Sequence, residues 1–423
     1  MEKFTFKEYE NGVRFLHIYL PYWTATAVSI SVAVGGAHEL PNEYGLSHFV
    51  EHMLLKGTTK HTKEEIDKQL RALGAYKNGV TSLDSTKYYY KCITTNFEKL
   101  LQIASESFFD VALNENTFEN ERAVIIEELL KRNTNIYDVE DVIFQKDDRR
   151  GERVLGPLNN LKNFKIQDVK SFIDKHYHSK NLVICIIGDI PFEDSEKLVD
   201  TYFVKRIKAG NTGNVLVEPW IIKKPNMISM PSNTPTTDFK IIFRGSHKST
   251  IKYDAVVVVL KNLFNGMGGR LLKKLRDENG LVYETNLFVG SNYYKTAWSE
   301  ISLKASTQNV ENCILAVAEL VNDLRTVHVG DDELEEAKAK NLYLKEPMIP
   351  TVELSNYFCG RIITGLPVFS NAEFYETIQK VTAEDIYNFI HQSWTPNNLY
   401  MLSYGAIQNK NMFELFKSKI ISS

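Results

Sequence analysis

His48 and His52 stand four residues apart in the segment GLSHFVEHMLLKGT, with Glu51 directly before the second. Four residues is slightly more than one helical turn, so in a helix both imidazoles leave the same face and can converge on one point. Neutral imidazole is a good zinc ligand at about 2.0–2.1 Å. Glu51, three residues beyond His48, lies beside that pair, where a carboxylate can take a proton from a water on the metal. The order His-x-x-Glu-His is the inverted form of the zincin signature. Ser47 as a start and Gly57 as a stop predict that this stretch is a helix. The plainer reading is a helix with two structural histidines. It is the weaker one, because a chain with only 10 His seldom places two of them and a Glu in this order.

A catalytic zinc needs a third protein ligand and one position left open. The segment FENERAVIIEELLKR offers Glu119, Glu121, Glu127 and Glu128 around the apolar run Ala123 to Ile126. Glu121 and Glu128 are seven residues apart, two helical turns, and share a face, while Glu127 points about 100° away. A carboxylate on a packed face needs a partner or a metal. Any of the four could instead be a solvated surface acid, and that reading is stronger for Glu119 and Glu127.

The elements that must position these residues show a repeat. IQDVKSFIDKHYHSKNLVICIIGDI (166–190) aligns without a gap on AEDIYNFIHQSWTPNNLYMLSYGAI (383–407), pairing Asp168 with Asp385, Phe172 with Phe389, Asn181 with Asn398 and Gly188 with Gly405. Each copy reads as an amphipathic helix, a polar turn and a buried strand. A second pair, KYYYKCITTNFEKLLQIASESFFD and SEISLKASTQNVENCILAVAELVND, reads as strand, turn and helix in both halves. The period is half the chain, far longer than a solenoid unit. Two homologous domains follow: residues 1–207, a linker at 208–226 rich in Gly, Asn and Pro, and residues 227–423. Neighbouring strands without intervening helices predict the α+β class, each domain a largely antiparallel sheet packed with helices.

Composition narrows the field. A net charge of -3 without a long basic block argues against nucleic acid and against an anionic membrane surface. The longest apolar runs are too short to span a bilayer, and the first residues, MEKFTFKEYENG, lack the pattern of a targeting peptide. The four cysteines are widely spaced with no Cys-x-x-Cys, which predicts buried free thiols, no sulfur ligands and a reducing, cytoplasmic setting. GMGG lacks the Lys-Ser/Thr of a P-loop and reads as a turn. Tyr88 is a further residue that could line a cleft.

Taken together, HFVEH and ERAVIIEE resemble the pitrilysin-type (M16, inverted zincin) zinc metallopeptidase family, whose motif is followed about 75 residues later by such a Glu-bearing helix. The resemblance extends over almost the whole chain and is similar to its two-domain, processing-peptidase-like members. It implies zinc held by His48, His52 and Glu128, with Glu51 as general base and Glu121 as an auxiliary buried acid. Glu127 would be the ligand if the register were off by one. NGVTSLDSTKYYY resembles the family's substrate-pairing edge strand, which assigns Asn78, Gly79, Val80 and Thr81 to peptide binding. Gly79 stands where Ala is usual, so a looser subsite is expected there. FNGMGGRLLKKLRDENGLVYE resembles the segment whose Arg and Tyr, here Arg276 and Tyr283, help to hold the substrate carbonyl. The implied activity is endopeptidase cleavage of extended or unfolded peptides inside a closed chamber. The implied assembly is a homodimer, with a heterodimer containing an inactive paralogue as the alternative. A non-catalytic partner subunit and a dedicated leader-peptide maturation protease are the rival functions.

Overall fold

A computed structural model describes residues 2–131, 154–210, 226–291, 296–406 and 411–420. By its contacts the chain divides into two compact units. The expected linker, 208–226, falls mostly outside the described residues.

The first unit is built on a six-stranded sheet in the order β1-β2-β6-β3-β5-β4. Its strands are β1 (Lys3–Glu8), β2 (Arg14–Tyr19), β3 (Ala25–Val32), β4 (Tyr76–Thr81), β5 (Thr86–Ile93) and β6 (Leu182–Gly188). All pairings are antiparallel except β2 with β6. The run LVICIIG of β6 is buried at every position, as a central strand covered on both faces must be. Strand β3 alternates: Val28, Ile30 and Val32 join the main core, while the small residues Ala27, Ser29 and Ser31 are buried on the other face. The main core is filled by helices α1 (Leu46–Leu54), α2 (Phe97–Phe109), α3 (Glu115–Lys131) and α4 (Ile166–His176).

The second unit repeats this plan with a five-stranded sheet in the order β7-β11-β8-β10-β9. It contains β7 (Asn226–Pro231), β8 (Thr236–Ser246), α5 (Ile251–Phe264), β9 (Val282–Ser291), β10 (Thr296–Ser306) and α6 (Val310–Thr326). Next in the chain is α7 (Val352–Ile363), and α8 (Ala383–Ser393) and β11 (Leu399–Gly405) complete the second unit. The repeat is exact at the level of elements: α4, a 3₁₀ turn and β6 match α8, a 3₁₀ turn and β11. The α+β class with two largely antiparallel, helix-packed sheets is therefore the observed fold.

Residues 347–370, placed in the 227–423 domain by the sequence reading, pack with the first unit. Helix α7 lies on the small-residue face of β3. Ser29 Oγ donates to Asn356 Oδ1 at 2.6 Å, and the Cys359 thiol faces the Ser29 and Val183 carbonyls at 3.7 and 3.9 Å. Side chains no larger than Ser and Ala let the helix approach the sheet closely. All four cysteines are free and buried. Among the described residues, no helix is long and apolar enough to cross a membrane.

His17 on β2 is fully buried, and its Nε2–H donates to the Ile190 carbonyl at 2.9 Å. Burial pushes its pKa down to about 4, so the folded protein holds the ring neutral. The unfolded chain, with an ordinary histidine near 6.5, binds the extra proton first as pH falls. Stability from this group is therefore complete above about pH 6.5 and declines toward pH 4. Urea midpoints should fall across that window, and His17→Gln, which retains an N–H for Ile190, should make the decline shallower. Equal slopes for the two proteins would contradict this.

Candidate active site

Helix α1 has two faces with different tasks. Phe49, Val50, Met53 and Leu54 are buried in the core, with Phe49 stacked on Phe118 of α3 at 4.8 Å. His48, Glu51 and His52 line a cleft of about 540 Å³. The helix begins one residue before Ser47 and ends at Leu54, close to the span expected from the sequence. The packing of α1 against α3 is what sets the acids of α3 beside the histidines.

Glu119, Glu121, Glu127 and Glu128 of helix α3 stand in different settings. Glu119 pairs with Arg122 at 3.1 Å and Glu127 with Lys131 at 2.6 Å, both carboxylates well exposed. Lys131 holds the Glu127 carboxyl below its usual range. Glu121 is buried; its Oε2 accepts from His52 Nδ1 at 3.0 Å and from Lys56 Nζ at 2.9 Å. Burial alone would raise the Glu121 carboxyl, but these two donors outweigh it and hold the group low. Glu128, two turns along and half exposed, turns its Oε2 toward the cleft, 3.8 Å from Nε2 of His48 and 3.8 Å from Nε2 of His52.

These distances allow a test of whether a metal fits. One ligand atom each from His48, His52 and Glu128 lies within 4.8 Å of the other two. Three ligands of a tetrahedral zinc at about 2.0–2.1 Å stand roughly 3.3 Å from one another, so small side-chain movements suffice. His52 Nδ1–H is committed to Glu121, which leaves the Nε2 lone pair facing His48 and Glu128. Burial, reinforced by His52, pushes the His48 pKa down to about 3, so its ring is neutral and free to donate a lone pair. Two imidazoles, one carboxylate and an open side form a zinc-type donor set.

Glu51 projects from the same helix face but bonds elsewhere. Its Oε2 accepts from Thr81 Oγ1 at 2.6 Å. A Cβ on Gly79 would come within 2.6 Å of Glu51 Oε1. The space freed by glycine is thus taken by the Glu51 carboxylate, and not by an enlarged subsite. Burial raises the Glu51 carboxyl above its ordinary range, against the Thr81 hydrogen bond. A carboxylate that holds its proton more readily is suited to proton transfer.

Asn78, Gly79, Val80 and Thr81 lie on β4, the edge strand, which pairs with β5. Gly79, Val80 and Thr81 line the cleft, together with Val154 and Leu155. Asn78 is exposed, and its Oδ1 accepts from the Gly79 N–H at 2.9 Å. Tyr88 does not reach the cleft: it is 2% exposed and bonded to the Tyr177 hydroxyl at 2.8 Å. Arg276 and Tyr283 belong to the second unit, Arg276 exposed in the helical stretch Lys273–Asp277 and Tyr283 on β9 with 76% exposure. Two residues escaped the sequence reading. Lys56, four residues after His52 on the same side, shares Glu121 with it. Glu39 accepts from the Gly45 and Ser47 N–H groups at the start of α1.

Comparison with known proteins gives a consistent picture. The family model described as insulinase, peptidase family M16, matches residues 14–154, and the model described as the peptidase M16 inactive domain matches residues 163–341. An uncharacterised zinc protease of Rickettsia felis is 26% identical over 415 residues, covering 92% of this chain and 94% of its own. The beta subunit of the mitochondrial-processing peptidase of Neurospora crassa is 24% identical over 426 residues, covering 94% and 87%. A crystal structure of a peptidase M16 inactive domain from Pseudomonas fluorescens shares the fold with a TM-score of 0.85 at 16% identity, over 96% of this chain and 99% of that one.

The three neighbouring acids are separable by metal analysis. Glu128→Gln should lose most bound zinc. Glu121→Gln should weaken it about 10- to 100-fold, as expected when a histidine loses its orienting carboxylate. Glu127→Gln should bind as the parent does. Zinc loss confined to the Glu127 variant would move the ligand by one residue.

Proposed function

The chain belongs to peptidase family M16, and from that membership we propose that it is a zinc-dependent endopeptidase acting on extended or unfolded peptides. One observation carries the reading: Glu51 enters the same cleft as His48, His52 and Glu128, beside the edge of the first sheet. Zinc held by His48, His52 and Glu128 would supply Lewis acidity to the carbonyl and to the attacking water.

The protein's own groups do the rest. The substrate backbone adds to the edge of β4 along Asn78 to Thr81 as a further strand, which selects extended chains more than particular side chains. Thr81 keeps the Glu51 carboxylate at the cleft wall. Glu51 takes a proton from the attacking water and passes it to the amine of the leaving peptide. Glu121 holds His52 in one tautomer, with Lys56 balancing its charge. Arg276 and Tyr283 donate to the carbonyl oxygen as negative charge gathers there.

We assign the Arg276/Tyr283 pair to the site of a second copy. A homodimer with a twofold axis would enclose a chamber with two such composite sites. The Neurospora crassa relative is by name one subunit of a peptidase, and the heterodimer is the arrangement to test against. A non-catalytic subunit is disfavoured, because the chain keeps every candidate residue of the site. Free, buried thiols suit a reducing compartment, and the cytoplasm is the setting we adopt.

Chelation should abolish cleavage of a random peptide pool, and added zinc should restore it. Glu51→Gln should retain zinc and lose turnover by at least ~10²–10⁴, the usual worth of a general base. Cleavage by that variant at the parental rate would remove Glu51 from its role. Subunit mixing tests the shared site. Glu51→Gln and Tyr283→Phe should each be nearly inactive alone, and coexpression should restore part of the activity through hybrid dimers. Hybrids that form and stay inactive would place Tyr283 outside its partner's site.

A further inference from the structure

Glu39 is the most completely buried carboxylate near α1, with 2% of its surface exposed, and the proposed chemistry gives it no task. It is not among the residues that line the cleft. Its position becomes intelligible from the start of α1. The first N–H groups of a helix have no partner within the helix, and a Ser, Thr, Asp or Asn at the N-cap normally supplies one. The N-cap here is Gly45, which has no side chain to offer. It cannot be exchanged for a capping residue, because its φ is +102° and a Cβ would meet the Leu155 carbonyl oxygen at 2.8 Å and Gly156 Cα at 3.1 Å.

The missing acceptor comes from six residues upstream. Glu39 Oε2 accepts from the Gly45 N–H at 2.8 Å, and Oε1 accepts from the Ser47 N–H at 2.6 Å. A carboxylate also complements the positive end of the helix. Burial pushes the Glu39 carboxyl up to about 7, with the Gly45 and Ser47 groups pulling it down. Ser47 directly precedes His48, and Glu51 lies one turn further on. The helix has nine residues, so a first turn that frays or tilts carries the reactive side chains with it.

We propose that Glu39 is a positioning residue: it caps α1 from outside the helix and fixes the direction in which His48 and Glu51 enter the cleft. The proposal rests on the peptidase reading for its catalytic consequence, and on the hydrogen bonds alone for its structural one.

The test compares the full-length parent with Glu39→Ala and Glu39→Gln, each loaded with cobalt(II) as a spectroscopic stand-in for zinc. Amide exchange over residues 45–49 should accelerate roughly tenfold in Glu39→Ala. The cobalt d–d bands should shift, and kcat should fall about 10- to 100-fold with KM changed far less. Glu39→Gln, which retains one acceptor oxygen, should lie between the two and serves as the test if the alanine variant does not fold. A lower melting temperature with parental exchange, cobalt spectrum and kcat would overturn the proposal. So would a glutamine variant identical to the parent in all three. A parent protein that binds cobalt yet cleaves no peptide would refute the peptidase reading, while exchange and spectrum would still decide the role of Glu39.

Discussion

The hydrogen bond from His52 to Glu121 is the interaction on which the arrangement of the site depends. It joins α1 to α3 between a part-buried imidazole and a buried carboxylate, and it settles which ring nitrogen of His52 remains available. Without it, Glu121 would be a buried carboxylate sharing only Lys56, and the His52 ring would be free to turn. Its geometry also explains why Glu128 is usable: with Glu121 anchored to α1, the residue two turns along the same face comes to the mouth of the cleft.

A second constraint is set by the sheet. Because β4 is the edge strand, its cleft-facing residues can serve Glu51 through Thr81 while its outer edge can accept a peptide backbone. Glycine at position 79 is compatible with the present position of Glu51, since any Cβ there would press on the carboxylate. Glu51 and the edge strand β4 are thus held together by one packing contact, and a change in either would move the other.

Much of this was legible in the sequence because it depends on helical and strand periodicity. The four-residue spacing of His48 and His52 and the seven-residue spacing of Glu121 and Glu128 place each pair on one face whatever the tertiary structure. The duplicated strand and helix patterns likewise carry the α+β class, since each copy has the same alternation of apolar residues. What could not be read depends on contacts distant in the chain. The need for glycine at 45 comes from Leu155 and Gly156, and only that need makes sense of Glu39 as a cap. The place of α7 on the first sheet comes from the small side chains of β3, more than 300 residues earlier. The conflict at Gly79 requires knowing that Glu51 turns toward β4.

The proposed chemistry requires that His48, His52 and Glu128 hold a zinc ion beside Glu51. Crystals grown with zinc and measured on both sides of its absorption edge test this most directly. One strong anomalous peak per chain is expected in this cleft, about 2.0–2.2 Å from a nitrogen of each histidine and from an oxygen of Glu128. A peak bound instead by Glu121 or Glu127, or zinc held elsewhere on the chain with this cleft empty, would contradict it.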